Sequence, residues 1–143
     1  MPVANIHVLA GHPRPLLKAM LREFAAVFAK TMGAPTDRLQ VWVTEVDPEL
    51  FVVAGENADE VLQRQAGGDT EVPFIRMALM EGRPTELLHR VMADLSEVVS
   101  RHLGGDPQRV RVQIDHVHPD RWAIGGVPAS VSRAAEIARM AQA

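Results

Sequence analysis

A chain of 143 residues is long enough to bury a real core and short enough to form one compact domain. Its 47 % apolar and 23 % charged content is an ordinary globular balance, and a formal net charge of -3 gives no case for nucleic acid or an anionic membrane as partner. The absence of cysteine excludes disulfides, thiolate metal sites and cysteine nucleophiles. No apolar stretch approaches the roughly 18–20 residues of a membrane span and no signal-peptide pattern opens the chain, so a soluble, cytoplasmic protein is expected.

The chain opens on Pro2, at the head of the apolar run VANIHVL, which reads as a short strand closed by AGHP. Proline is tolerated as the first residue of a strand. Leu16, Leu17, Met20, Leu21, Phe24, Val27 and Phe28 then form the stripe of an amphipathic helix, with Gly33 where a C-cap is wanted. LQVWVTEV, with β-branched residues at alternate positions, supplies the second strand. Residues 56–72, ENADEVLQRQAGGDTEV, read as a linker holding a short helix and a flexible GGD turn. FIRMALM and EGRP begin the pattern again, followed by the stripe Leu87, Leu88, Val91, Met92, Leu95, Val98 and Val99, then Gly104 and the strand VRVQIDHV. Residues 127–143 form an alanine-rich, weakly helical extension.

The second half is the first half rewritten. A shift of 71 positions lays residues 2–55 on 73–126 without a gap, and 12 of the 54 pairs are identical. They include Pro2/Pro73, Gly11/Gly82, Pro13/Pro84, Gly33/Gly104 and Arg38/Arg109, an ordered set of turn and core positions that chance would not supply. Each half reads strand, helix, strand, a crossover expected to be parallel. The expected fold is therefore α+β in two layers, with four strands in one sheet and both helices on one face. One domain spans 1–143. The opposite sheet face is left bare and is expected to pack against other subunits.

Chemistry concentrates at the places where the halves differ. With Met1 removed, the Pro2 nitrogen is a secondary amine; an α-amino group titrates near 7.7–8.0, and burial or a neighbouring cation lowers that value. Such an amine can serve as a base near neutral pH. Pro73 cannot, because its nitrogen is locked in an amide. Arg83 stands where the first half has His12, Arg111 where it has Gln40, and Trp122 where it has Phe51.

PVANIHVLAG, EGRPTELLHRV, RVRVQIDHV and RWAIGG together resemble the tautomerase superfamily, in particular its 4-oxalocrotonate tautomerase group. QAGGDT and the fused halves are also similar to the cis-3-chloroacrylic acid dehalogenase branch. The resemblance implies a tautomerase (macrophage migration inhibitory factor-like) fold, a homotrimer of fused chains, a small carboxylate substrate, and no cofactor or metal. It implies Pro2 as catalytic base and Arg83 as catalytic electrophile, with Arg111 and Trp122 binding substrate, on their own or a neighbouring chain. His12 is a candidate donor in place of the arginine missing from the first half. The expected activity is keto–enol tautomerisation of acids such as 2-hydroxymuconate or phenylenolpyruvate. Two alternatives stand: a hydratase or dehalogenase of unsaturated acids, with Asp115 or His116 activating water, and a non-catalytic scaffold. The dehalogenase branch carries a further arginine where this chain has Met80, which favours the tautomerase.

Overall fold

A computed structural model describes residues 2–65 and 70–142; the expected GGD turn lies outside them. The first half contributes strand β1 (Val3–Leu9), helix α1 (Arg14–Met32) and strand β2 (Gln40–Val46), followed by the short hairpin β3 (Val52–Val53) and β4 (Glu56–Asn57) and helix α2 (Ala58–Arg64). The second half contributes β5 (Phe74–Met80), α3 (Thr85–Leu103), β6 (Arg111–Val117), the hairpin β7 (Ala123–Ile124) and β8 (Val127–Pro128), and helices α4 (Ala129–Ser132) and α5 (Ala134–Gln142). Every element from β1 to β4 recurs 71 positions later with unchanged length, the short 3-10 turns included. The bounds of α1 and α3 agree with the stripes, and both helices end on a left-handed glycine, Gly33 and Gly104.

The four long strands form one sheet in the order β2-β1-β5-β6. β1 runs parallel to β2, β5 parallel to β6, and the two halves meet through the antiparallel β1–β5 pair. Since side chains alternate along a strand, each strand has a core face and an outer face. Ala4, Ile6 and Val8 of β1 and Ile75, Met77 and Leu79 of β5 are buried under the helices. They meet Met20, Phe24 and Phe28 of α1 and Val91, Leu95 and Val98 of α3. Phe24 and Phe28 stack edge to face with ring centroids 5.9 Å apart, an arrangement worth about 0.5–1.5 kcal/mol beyond area burial. Both helices thus cover one face, as the repeat requires.

Polar clasps repeat as well. Glu23 of α1 takes hydrogen bonds from Arg101 and pairs with His102 of α3, while Asp94, the equivalent of Glu23, accepts from Thr31, the equivalent of His102. Among the described residues α1 and α3 lie on the core face and leave the outer face to the sheet's own side chains. Trp42 on it is 45 % exposed, His7 and Phe74 touch with centroids 5.6 Å apart, and Arg76 donates to Asp115 at 2.8 Å. Leu50, Val52, Val127 and Val131 are further exposed apolar side chains from the hairpins and the tail.

Candidate functional site

Pro2 is buried, on the core side of the sheet and at its end, where its carbonyl accepts from the Gln40 N–H at 3.3 Å. The antiparallel register sets β5's last residues beside it: Val3 pairs with Ala78, so Met80 and the turn after it arrive next to Pro2. Gly82 in that turn has φ of 113°, a conformation L side chains rarely adopt, and this reversal introduces Arg83. No atom would obstruct a Cβ at Gly82, so the requirement is conformational and not steric. On the other side Gly33, at φ 63°, ends α1 and returns the chain past the same point.

These turns enclose a cavity of about 520 Å³ with Pro2 and Arg83 on its wall. Arg83 Nη1 donates to the Met80 carbonyl at 3.0 Å, and burial pushes its guanidinium pKa down from the ordinary value. Among the described residues no carboxylate pairs with it. A half-buried cation with open hydrogen-bonding capacity is suited to a carboxylate or keto oxygen.

Three further charged groups line the cavity, Arg38, Glu136 and Arg139. Arg38 Nη1 donates to Glu136 Oε1 at 2.6 Å, which fastens α5 to the turn before β2 and holds the Glu136 carboxyl below the usual carboxylate range. Three guanidiniums face one carboxylate, so the cavity favours anions. Sequence reading missed this set. Arg38 recurs as Arg109 and passed for a mark of the repeat, and Arg139 sits in a tail whose composition carries no signal.

The remaining candidates lie elsewhere in the chain. Arg111 opens β6 opposite Phe74, at the far end of β1 from Pro2 and on the outer face; its Nη1 donates to the Gln108 carbonyl at 2.9 Å. Trp122, at the end of the short turn 119–121, is half-buried, its carbonyl accepts from the Ala129 N–H, and it does not line the Pro2 cavity. Asp115 also faces outward, held below its usual range by Arg76 and then Gln113, and neither it nor His116 lines the cavity. Two residues past His116, the side chain of His118 caps the following turn, its Nδ1 accepting from the Asp120 N–H. Among the described residues no three metal-ligating side chains converge.

His12 and Pro73 line a second cavity, of about 320 Å³, at the opposite end of the β1–β5 pair. It is the repeat counterpart of the first: Gly11 and Gly104 replace Gly82 and Gly33, and His12 replaces Arg83. His12 Nε2 lies 2.8 Å from Glu71 Oε1, and Glu71 Oε2 accepts from the Leu9 N–H at 2.7 Å.

A family model described as "Tautomerase enzyme" matches residues 73–131. A 2-hydroxymuconate tautomerase of Comamonas testosteroni is 31 % identical over 61 residues, which is 43 % of this chain and 97 % of that protein. One from Pseudomonas putida is similar to the same extent. Among solved structures, a native fused 4-OT superposes with a TM-score of 0.80 over 92 % of this chain and 99 % of that one, at 23 % identity. A fused 4-OT asymmetric trimer gives 0.79 at 20 % identity, covering 91 % and 98 %. Macrophage migration inhibitory factor of Toxoplasma gondii gives 0.70 at 21 % identity, covering 88 % and 98 %.

Proposed function

This chain belongs to the tautomerase superfamily, and from that premise we propose that it is an isomerase whose Pro2 nitrogen moves a proton between the enol and keto forms of a small carboxylate. The observation that carries this reading is the shared cavity: buried Pro2 and Arg83, without a carboxylate partner among the described residues, border the same space.

With Met1 removed, the Pro2 nitrogen is a secondary amine whose burial and cationic neighbours favour its neutral, basic form. It takes the hydroxyl proton of a 2-hydroxydienoate while the O–H electron pair forms the ketone. The displaced C=C electrons take up the same proton at carbon, so atoms and charge balance. Arg83 holds the oxygen on which charge develops, the kind of donor placement that stabilises enolates. Arg38 and Arg139 hold the carboxylate end. 2-Hydroxymuconate and phenylenolpyruvate fit this requirement, and the reaction calls for no cofactor. Hydration needs a water-activating group beside Pro2; the cavity's one carboxylate among the described residues, Glu136, is occupied by Arg38.

The assembly is a homotrimer joined through the outer sheet face, where Trp42 is exposed. Two of the structurally similar proteins, fused 4-OTs, are described as trimers, which supports this reading. Arg111, on that face, then reaches a neighbouring subunit's site, with Trp122 closing it.

Intact mass and active-site labelling test the proposal. Loss of Met1 and a single adduct of 3-bromopropiolate on Pro2, absent in Arg83→Ala, are expected, together with ketonisation of phenylenolpyruvate and no halide release from 3-chloroacrylate. Retention of Met1, or an adduct elsewhere, overturns the amine mechanism.

A further inference from the structure

The proline nitrogen at the cavity around Pro73 is an amide and cannot act as a base. Yet it is a formed pocket, at about 320 Å³ within the size range of small-ligand sites, with walls mostly of Leu9, Ala10, Leu62, Leu103 and Val110. Its charged groups have been exchanged relative to the Pro2 cavity. Arg83 has become His12, and Pro35 has become Asp106. Arg38 has its counterpart in Arg109, which does not line this pocket and instead donates through Nε to the Glu71 carbonyl at 3.1 Å. Glu71, from the segment between the two halves, brings a carboxylate to the wall of this pocket.

We propose that this second cavity is a binding site for a small apolar molecule bearing an ammonium or amine group, opposite in charge preference to the Pro2 cavity. Glu71 and Asp106 supply its carboxylates, and among the described residues no lysine or arginine lines it. With His12 neutral or protonated the lining stays net negative, so the preference does not depend on the imidazole's charge. Glu71 is held in place by Leu9 and His12, its side chain 12 % exposed, and a carboxylate offers about four acceptor positions, which leaves room for a ligand N–H. Placing that donor among aliphatic walls selects an ammonium on a hydrocarbon or aromatic body. The inference is independent of the Pro2 reaction.

Amide chemical-shift mapping of the full chain with two probes of equal shape tests it. 2-Phenylethylammonium is expected to move the Leu9, Gly11, Gly104 and Gly105 amides and leave Gly33, Ala34 and Gly82 in place; 3-phenylpropionate is expected to do the reverse. Glu71→Gln, which keeps an acceptor for Leu9, should weaken the ammonium probe at least tenfold and leave the carboxylate probe unchanged. The proposal is overturned if the ammonium moves no amide of the second cavity, if the carboxylate binds there as well, or if a folded Glu71→Gln variant binds as wild type does. Should that variant not fold, the two-probe comparison on the wild-type chain decides alone.

Discussion

Asn5 and Arg76 face each other across the antiparallel β1–β5 pair, and they are the same position of the repeat, 71 residues apart. A local two-fold axis passes between them. Residues equivalent in sequence are therefore carried to opposite ends of the sheet, which is why Pro2 meets Arg83 at one end while Pro73 meets His12 at the other. One cavity is cationic and the other acidic.

Replacing Arg83 by Ala should lower kcat/KM for phenylenolpyruvate by about 10²–10³, the range found on removing one donor that stabilises an oxyanion. Among the described residues its side chain is held through one hydrogen bond, to the Met80 carbonyl, so the melting temperature should barely move. An unchanged rate would dissociate Arg83 from the reaction. Lysine should rescue little, since a point charge does not reproduce the planar fork.

Glu136 holds Arg38 from within the cavity, as an internal rival of any substrate carboxylate. Glu136→Gln should lower KM for a carboxylate substrate modestly, because a solvent-screened ion pair contributes little. The pair's sign with pH follows from the lowered Glu136 pKa: the latch is fully present above the ordinary carboxylate range and is lost as pH falls through the lowered value. The difference in KM between the two proteins should thus persist at neutral pH and close only in acid.

The clasp between α1 and α3 predicts acid sensitivity of the fold. Hydrogen bonds from Arg101, then His102, hold the Glu23 carboxyl at about 2. Being depressed, it stabilises the folded chain above about pH 4.5 and loses that contribution as pH falls towards 2. Denaturant titrations should find Glu23→Gln less stable than wild type at pH 6, with most of the gap closed near pH 2. A gap undiminished at pH 2 would assign the effect to packing.

Trp42 lies on the outer face at 45 % exposure. Trp42→Glu should turn the proposed trimer into monomers by light scattering while the helical circular dichroism signal stays, since the helices cover the other face. If a neighbour's Arg111 completes each site, activity should fall with the trimer. An active monomer would place the whole reaction within one chain.

How much of this could be read without coordinates differs by element. Helix limits followed from the apolar stripes and their terminal glycines, and the sheet's two layers from the doubled pattern. Arg83 stood out because its repeat partner was a histidine. Arg38 and Arg139 did not stand out. One is shared by both halves and the other lies in a tail of low information, and neither is near Pro2 in the chain.

Local periodicity and a 71-residue repeat are properties of neighbouring side chains and of the chain compared with itself, so the sequence alone determined the elements, their doubling and the candidate pair Pro2 and Arg83. Which ends meet is set by long-range pairing. Only the antiparallel union of β1 with β5 decided that His12 goes to Pro73, that Arg111 lies on the outer face away from Pro2, and that a glutamate and an arginine from the tail border the cavity. Those outcomes depend on the burial of one shared core between the halves, which no single stretch of sequence contains.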